Sequence, residues 1–163
     1  MKVGFIGLGN VGGKLAGSLL RNGMDLSVHD LDDGLVAGFV ARGAQDGGSP
    51  AAMMRACDVV ITCLPSPAAS AAVVEAMLPE MGPGKTWMEM STTDADEVLR
   101  LGALVAETGG LAVECPVSGG CHRADTGNIA IFAGGPRAAV EHVMPLLVHL
   151  GRQILHTGEL GSA

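Results

Sequence analysis

The sequence has 163 residues, a length typical of one domain, and no linker or repeat divides it. Its formal net charge is −7 and no basic patch is visible, which argues against nucleic acid as a partner. No run approaches the ~20 apolar residues of a membrane helix, and no signal peptide opens the chain. The four cysteines form no CxxC pair. We therefore expect a cytoplasmic protein that binds neither metal nor membrane.

Short apolar runs alternate with helical patterns along the whole chain. The strands are predicted at residues 2–6, 26–29, 58–64, 86–90, 111–115, 129–133 and 153–156. The helices are predicted at residues 10–21, 34–42, from 50 onward, 68–77, 94–107 and 137–150, with Gln45 in a link. This alternation predicts an α/β fold of the Rossmann type, with a doubly wound, mainly parallel sheet and helices on both faces. Residues 1–163 are expected to form one dinucleotide-binding domain.

A glycine-rich turn follows the first predicted strand and opens a helix. It reads Gly7-Leu8-Gly9-Asn10-Val11-Gly12, a GxGxxG motif. In this context the first glycine permits the turn, the second admits a pyrophosphate, and the third allows close helix packing. The backbone N–H groups of Asn10 and Val11 are the predicted donors to the phosphates.

Asp30 stands at the end of the second predicted strand, about 20 residues beyond the turn, where a carboxylate binds ribose hydroxyls. The residue after it, Leu31, offers no positive charge to a 2′-phosphate. The sequence therefore favours NAD, with NADP as the alternative. Asp32 and Asp33 are interpreted as turn or helix-cap residues.

Four segments, in order, resemble motifs of the 3-hydroxyisobutyrate dehydrogenase group of β-hydroxyacid dehydrogenases, to which 6-phosphogluconate dehydrogenase is more distantly related. They are the turn with Phe5-Ile6 before it, Cys63-Leu64-Pro65-Ser66, Ser91-Thr92-Thr93-Asp94, and Glu114-Cys115-Pro116-Val117-Ser118-Gly119-Gly120. The chain departs from the family pattern by having Val11 in place of a methionine, Ser18 in place of an asparagine and Ala69 in place of another asparagine.

The resemblance assigns roles to these segments. It implies that Leu64 and Pro65 lie beside the cofactor and that Thr92 contacts its nicotinamide side, although Thr93 or Asp94 can serve only as a helix N-cap. It implies that Ser118, Gly119 and Gly120 hold a substrate carboxylate, for which a hydroxyl and adjacent glycine N–H groups form a nest. Arg123 is a candidate partner for a second acidic group, and His122 a candidate titrating group. The alternative for both is a solvated loop pair.

The family's general acid/base is a lysine on a long helix that follows this domain, which the resemblance places beyond Ala163, with an all-helical domain that builds the homo-oligomer. We therefore expect an NAD(P)-binding domain of an oxidoreductase acting on a small 3-hydroxy acid or its semialdehyde. This chain alone is expected to be inactive or nearly so. Two alternatives remain open. One is an NADPH-dependent glyoxylate/succinic semialdehyde or imine reductase, and the other is a non-catalytic dinucleotide-binding module.

Overall fold

The computed structural model describes all residues from Met1 to Ala163. Its strands are β1 (Lys2–Ile6), β2 (Asp25–His29), β3 (Gln45–Asp46), β4 (Val59–Thr62), β5 (Thr86–Glu89), β6 (Leu111–Glu114), β7 (Val117–Ser118), β8 (Ile129–Gly134) and β9 (Gly151–Gly158). Its helices are α1 (Gly12–Arg21), α2 (Asp33–Val40), α3 (Pro50–Ala56), α4 (Pro67–Met77), α5 (Ala95–Glu107), α6 (Gly120–Asp125) and α7 (Arg137–Leu150), with a short 3₁₀ turn at Leu78–Glu80. No helix is both long enough and apolar enough to span a bilayer.

All the strands join one sheet in the order β3-β2-β1-β4-β5-β6-β8-β7, with β9 also paired to β8. The first six strands in this order are parallel, because helices connect each strand to the next. The carboxyl ends of β1, β4, β5 and β6 therefore meet at one edge of the sheet, which is where ligands bind in such folds. The predicted doubly wound fold is confirmed.

The sheet separates two hydrophobic clusters, one on each face. The larger cluster has 27 buried residues and contains the apolar faces of α1, α2 and α7. The smaller has 12 buried residues and contains those of α3, α4 and α5. The strand β4 lies between them with every residue buried, which explains its continuous run of apolar side chains. Because helices cover both faces, the side chains on both sides of the sheet are buried, which accounts for the large share of aliphatic residues.

Two local predictions were wrong, and one strand was not predicted. The segment around His122 and Arg123, interpreted as a loop, forms the short helix α6. Gln45 lies in a two-residue strand beside β2 instead of a link. The chain reverses direction between the unpredicted strand β7 and β8, so that β8 runs antiparallel to both β6 and β7. These features depend on long-range pairing, which local sequence patterns do not reveal.

Candidate functional site

The Gly7–Gly12 turn occupies the carboxyl end of β1, as predicted. Gly7 has a φ of +98°, and a Cβ there would lie 2.2 Å from the carbonyl oxygen of Cys63. A Cβ on Gly12 would lie 2.0 Å from the carbonyl oxygen of Gly7, so only glycine permits this contact. A Cβ on Gly9, in contrast, would meet no atom within 4 Å. The first and third glycines are therefore required by the fold, whereas the second keeps open a space that an external group can enter.

The turn presents free hydrogen-bond donors to that space. The backbone N–H groups of Asn10, Val11 and Gly12 donate to no acceptor within the protein. Such unpaired groups at a helix N-terminus, with the partial positive charge of the helix dipole, bind phosphate groups. The geometry therefore fits a pyrophosphate, as the motif predicts.

Asp30 lies directly beside this turn and also helps to hold it. Its Oδ2 accepts a hydrogen bond from the Leu8 N–H at 2.7 Å, and its Oδ1 accepts one from the Asp32 N–H at 2.9 Å. Each carboxylate oxygen can still accept from a further donor, such as a ribose hydroxyl. The interpretation of Asp32 as a cap is also confirmed, because its side chain accepts from the N–H groups of Gly34 and Leu35.

A cleft of about 550 Å³ opens between the turn, the end of β2 and the start of α4. Of the predicted residues, Gly7, Gly9, Asp30, Leu64 and Pro65 line it, together with Ala69, the position at which the family has an asparagine. Ile6, Leu31 and Cys63, which flank the predicted residues, also line it. Sequence patterns did not indicate the remaining lining residues, which are His29, Leu35, Pro50, Ala72 and Val73. These are mostly apolar side chains without a motif. Only their positions at the ends of strands and on the helices that pack beside those strands could have indicated that they line a cleft.

The Leu64-Pro65 segment is held by a hydrogen-bonded chain from the next strand. The Leu64 N–H donates to Ser91 Oγ at 2.7 Å, and the Ser91 N–H donates to Glu89 Oε1 at 2.7 Å. Glu89 is only 1% exposed, and this burial raises the pKa of its carboxyl despite the hydrogen bonds from Ser91. Sequence reasoning missed Glu89 because a lone acid at a strand end carries no motif.

The Cys63 thiol and the predicted residue Thr92 also border this edge. The Cys63 thiol lines the cleft, and burial, with a smaller contribution from the charge of Glu89, raises its pKa to about 12. That thiol is therefore neutral and a poor nucleophile at pH 7. Thr92 is exposed next to the buried Ser91, at the carboxyl end of β5. Asp94 is the N-cap residue of α5 but its side chain makes no capping hydrogen bond, and the Thr93 hydroxyl is buried without a partner.

Comparison with known proteins agrees with this geometry. A family model described as the NAD binding domain of 6-phosphogluconate dehydrogenase matches residues 2–158. The chain belongs to this family. It is therefore an NAD(P)-binding domain of the β-hydroxyacid dehydrogenase type, as the sequence motifs predicted.

Three relatives show which proteins the chain is similar to. The chain is 33% identical to the 2-(hydroxymethyl)glutarate dehydrogenase of Eubacterium barkeri and 32% identical to the human cytokine-like nuclear factor N-PAC, each over 99% of its length. The 3-hydroxyisobutyrate dehydrogenase of Mycobacterium tuberculosis, solved with L-serine, superimposes with a TM-score of 0.93 at 28% identity over 99% of the chain. The chain spans 55% of the E. barkeri relative, 30% of N-PAC and 55% of the M. tuberculosis structure.

The segment predicted to hold a substrate carboxylate lies beyond the carboxyl end of β6 in this family member. The strand β7 carries Ser118 outward, and Gly119 and Gly120 follow with φ values of +133° and +80°. All three residues are exposed, and the N–H groups of the two glycines donate to no acceptor within the protein. Arg123, on α6, packs its side chain against Gly119. The arrangement offers a hydroxyl, two N–H groups and a guanidinium to an external anion.

None of the three lysines lines the cleft of about 550 Å³. Lys2 begins β1 at the opposite edge of the sheet. The Lys85 ammonium donates to the carbonyl oxygens of Arg55 and Cys57 at that same edge. Lys14 is exposed on α1 and faces Asp125 at 3.9 Å.

Proposed function

We propose that this chain is the cofactor half of an oxidoreductase that transfers hydride between a nicotinamide dinucleotide and a small 3-hydroxy acid or its semialdehyde. The observation that carries this proposal is the presence of two groups of free backbone N–H donors at one edge of the sheet. The Gly7–Gly12 turn offers free N–H groups at the end of β1, and the Ser118–Gly120 segment offers its own beyond the end of β6. The first group of donors suits the pyrophosphate of a dinucleotide, and the second suits the carboxylate of a substrate.

The chain's own residues would bind and orient the two reactants. The backbone N–H groups of Asn10 and Val11 would donate to the pyrophosphate, while the Asp30 carboxylate would accept hydrogen bonds from the ribose hydroxyls. Leu64, Pro65 and Thr92 would position the dinucleotide toward the far side of the cleft. Bound there, the nicotinamide supplies the hydride chemistry.

At the other anion site, Ser118, Gly119 and Gly120 would hold the substrate carboxylate, and Arg123 would pair with a second acidic group when the substrate has one. The L-serine in the M. tuberculosis relative supports this substrate class, because serine is itself a carboxylic acid with a hydroxyl on its β carbon. The E. barkeri relative is likewise named for a hydroxymethyl-substituted acid.

We further propose that these 163 residues alone turn over slowly or not at all. Hydride transfer from a hydroxyl-bearing carbon needs a base for the hydroxyl proton, and no lysine of this chain lines the cleft. A steady-state assay with NAD and a panel of 3-hydroxy acids tests this. We expect no turnover above background, whereas robust turnover by this chain would overturn the proposal.

NAD is the proposed cofactor in preference to NADP because the Asp30 carboxylate repels a 2′-phosphate. Parallel calorimetric titrations with the two dinucleotides test this preference. Tighter binding of NADP would instead support a reductase of the glyoxylate/succinic semialdehyde or imine type.

A second candidate function belongs to another class. The human N-PAC relative is named as a nuclear factor and not as an enzyme, which favours a dinucleotide-binding module without chemistry. The substrate segment separates the two functions. A module has no need for a carboxylate clamp, so titration of 3-hydroxy acids into the NAD-saturated protein should give saturable binding only if the enzyme proposal holds.

A further inference from the structure

A second groove, of about 380 Å³, adjoins the dinucleotide cleft. Gly9 and Leu35 line both cavities, so the two are neighbours separated by these residues. The new groove runs along the outer surface of α1 beside α2 and α6. Its polar lining consists of three cations, Lys14, Arg21 and Arg42, with Asp125 as the only acid and Asn10 of the glycine-rich turn as the remaining polar side chain.

This concentration of positive charge is unusual for the chain. The whole sequence has 10 lysines and arginines and a net charge of −7, yet three of the cations converge here with one carboxylate. They come from different elements, since Lys14 and Arg21 lie on α1 while Arg42 follows α2. The fold therefore assembles a basic groove that the linear sequence does not display.

Asp125 neutralises only part of this charge. Its Oδ2 lies 3.9 Å from Lys14 Nζ and its Oδ1 lies 3.6 Å from Arg21 Nη1, and Arg21 also donates to the Asp125 carbonyl oxygen. The third cation, Arg42, makes no ion pair with any acid. Its guanidinium lies 4.7 Å from the ring centroid of Phe39, a contact that fixes its position without removing its charge.

The two guanidinium groups meet over Gly17. A Cβ at Gly17 would lie 3.3 Å from Arg21 Nη1 and 3.3 Å from Arg42 Nη2, so the absent side chain makes room for both. Two like charges facing each other across one helix position repel, and an anion placed between them would relieve this repulsion. Planar guanidinium groups are also well suited to bidentate contacts with a phosphate.

We propose that this groove, lined by Lys14, Arg21 and Arg42, binds a phosphate group. A doubly charged phosphate matches the excess of positive charge that Asp125 leaves. The group can come from a free phosphate or phosphorylated small molecule, or from the 2′-phosphate of a dinucleotide that reaches past Leu35. Both sources present a phosphate group to the same three cations, and the experiment distinguishes between them.

The first arm titrates inorganic phosphate into the NAD-saturated protein and into variants, in chloride buffer at low ionic strength. Arg42→Gln should weaken phosphate binding about fivefold, the loss of one exposed charge-assisted contact. Arg152→Gln is the matched control, because Arg152 is exposed on β9, makes no ion pair and carries the same charge. Asp125→Asn should tighten phosphate binding about threefold by removing the competing carboxylate, a gain that unfolding could not produce.

The second arm titrates NAD and NADP into the same variants without phosphate in the buffer. If the 2′-phosphate is the source, Arg42→Gln weakens NADP binding and leaves NAD binding unchanged. If a free phosphate is the source, only the first arm responds. The proposal is overturned if Arg42→Gln and Arg152→Gln behave alike in both arms. NAD binding by the unmodified protein reports separately on the proposed function.

Discussion

The two anion sites at the carboxyl edge of the sheet differ in how far the protein has already built them. The Gly7–Gly12 turn is held by buried backbone, by the Asp30 carboxylate and by the close contacts of Gly7 and Gly12. The Ser118–Gly120 segment is exposed, and its glycines adopt positive φ angles between a two-residue strand and a six-residue helix. The Gly7–Gly12 turn is thus preorganised to bind a ligand, whereas the Ser118–Gly120 segment has fewer contacts that fix its conformation in advance.

The largest effect should come from testing how rigidly the first site is built. Gly12→Ala places a methyl group 2.0 Å from the Gly7 carbonyl oxygen, so the turn must open. We expect a loss of about 3 kcal/mol or more in the free energy of unfolding, as for other steric conflicts in a packed interior. Thermal and urea denaturation measure this. A stable variant with normal NAD affinity would contradict the proposed packing.

The next effect concerns the carboxylate that joins the turn to the ribose site. Asp30→Asn keeps an oxygen that can accept from the Leu8 N–H but removes the charge, and we expect NAD affinity to fall about tenfold, as for loss of a charge-assisted hydrogen bond. NADP affinity should fall less, because repulsion of the 2′-phosphate also disappears. Calorimetric titration of both dinucleotides checks this, and an equal loss for the two would argue against a role of Asp30 in cofactor choice.

At the exposed site the effect should be smaller and confined to the substrate. Ser118→Ala removes one hydroxyl donor and should weaken binding of a 3-hydroxy acid to the NAD-saturated protein about fivefold. NAD affinity and the melting temperature should not change, since Ser118 is exposed and makes no hydrogen bond through its side chain. Ser118→Thr is the control that keeps the hydroxyl. A change in NAD affinity would mean that the two sites are not separate.

The smallest effect concerns the buried carboxyl behind the Leu64-Pro65 segment. Glu89 has a raised pKa in the folded protein, so the folded state binds its proton more tightly than the unfolded state and stability falls as pH rises above the ordinary carboxyl value. Glu89→Gln should therefore stabilise the protein by about 1 kcal/mol at pH 7. The gain should shrink below about pH 4, where the carboxyl is protonated in both states. Melting temperatures measured across this range test the sign, and a gain that grew on acidification would contradict it.

Sequence patterns predicted the structure of the Gly7–Gly12 turn well because its determinants are local. A strand, a GxGxxG turn and an amphipathic helix lie within the first 21 residues, and Asp30 follows at the end of the next strand. The spacing of these residues along the chain is therefore enough to predict a tight strand-to-helix turn with a carboxylate beside it. The sequence did not reveal that Asp30 also braces the turn through the Leu8 N–H, because that contact depends on how β1 and β2 align.

The second site and the basic groove were harder to predict for a different reason. The helix α6 has six residues, follows two glycines and contains no long apolar period, so a loop was the natural interpretation. Lys14, Arg21 and Arg42 are spread over two helices, and only the packing of α1 against α2 and α6 brings them together. Structure that depends on contacts between distant elements is not encoded in the local patterns that identified the turn.

The most direct test of the account is a titration of NAD into the protein and into Gly9→Ala, with melting temperatures recorded for both. Gly9 has open space around its Cβ position, so alanine should leave the fold intact while its methyl group blocks the approach of the pyrophosphate. The account predicts saturable NAD binding by the unmodified chain, an unchanged melting temperature in Gly9→Ala and a loss of at least about tenfold in its NAD affinity. Equal NAD affinity in the two proteins, or no NAD binding by either, would contradict it.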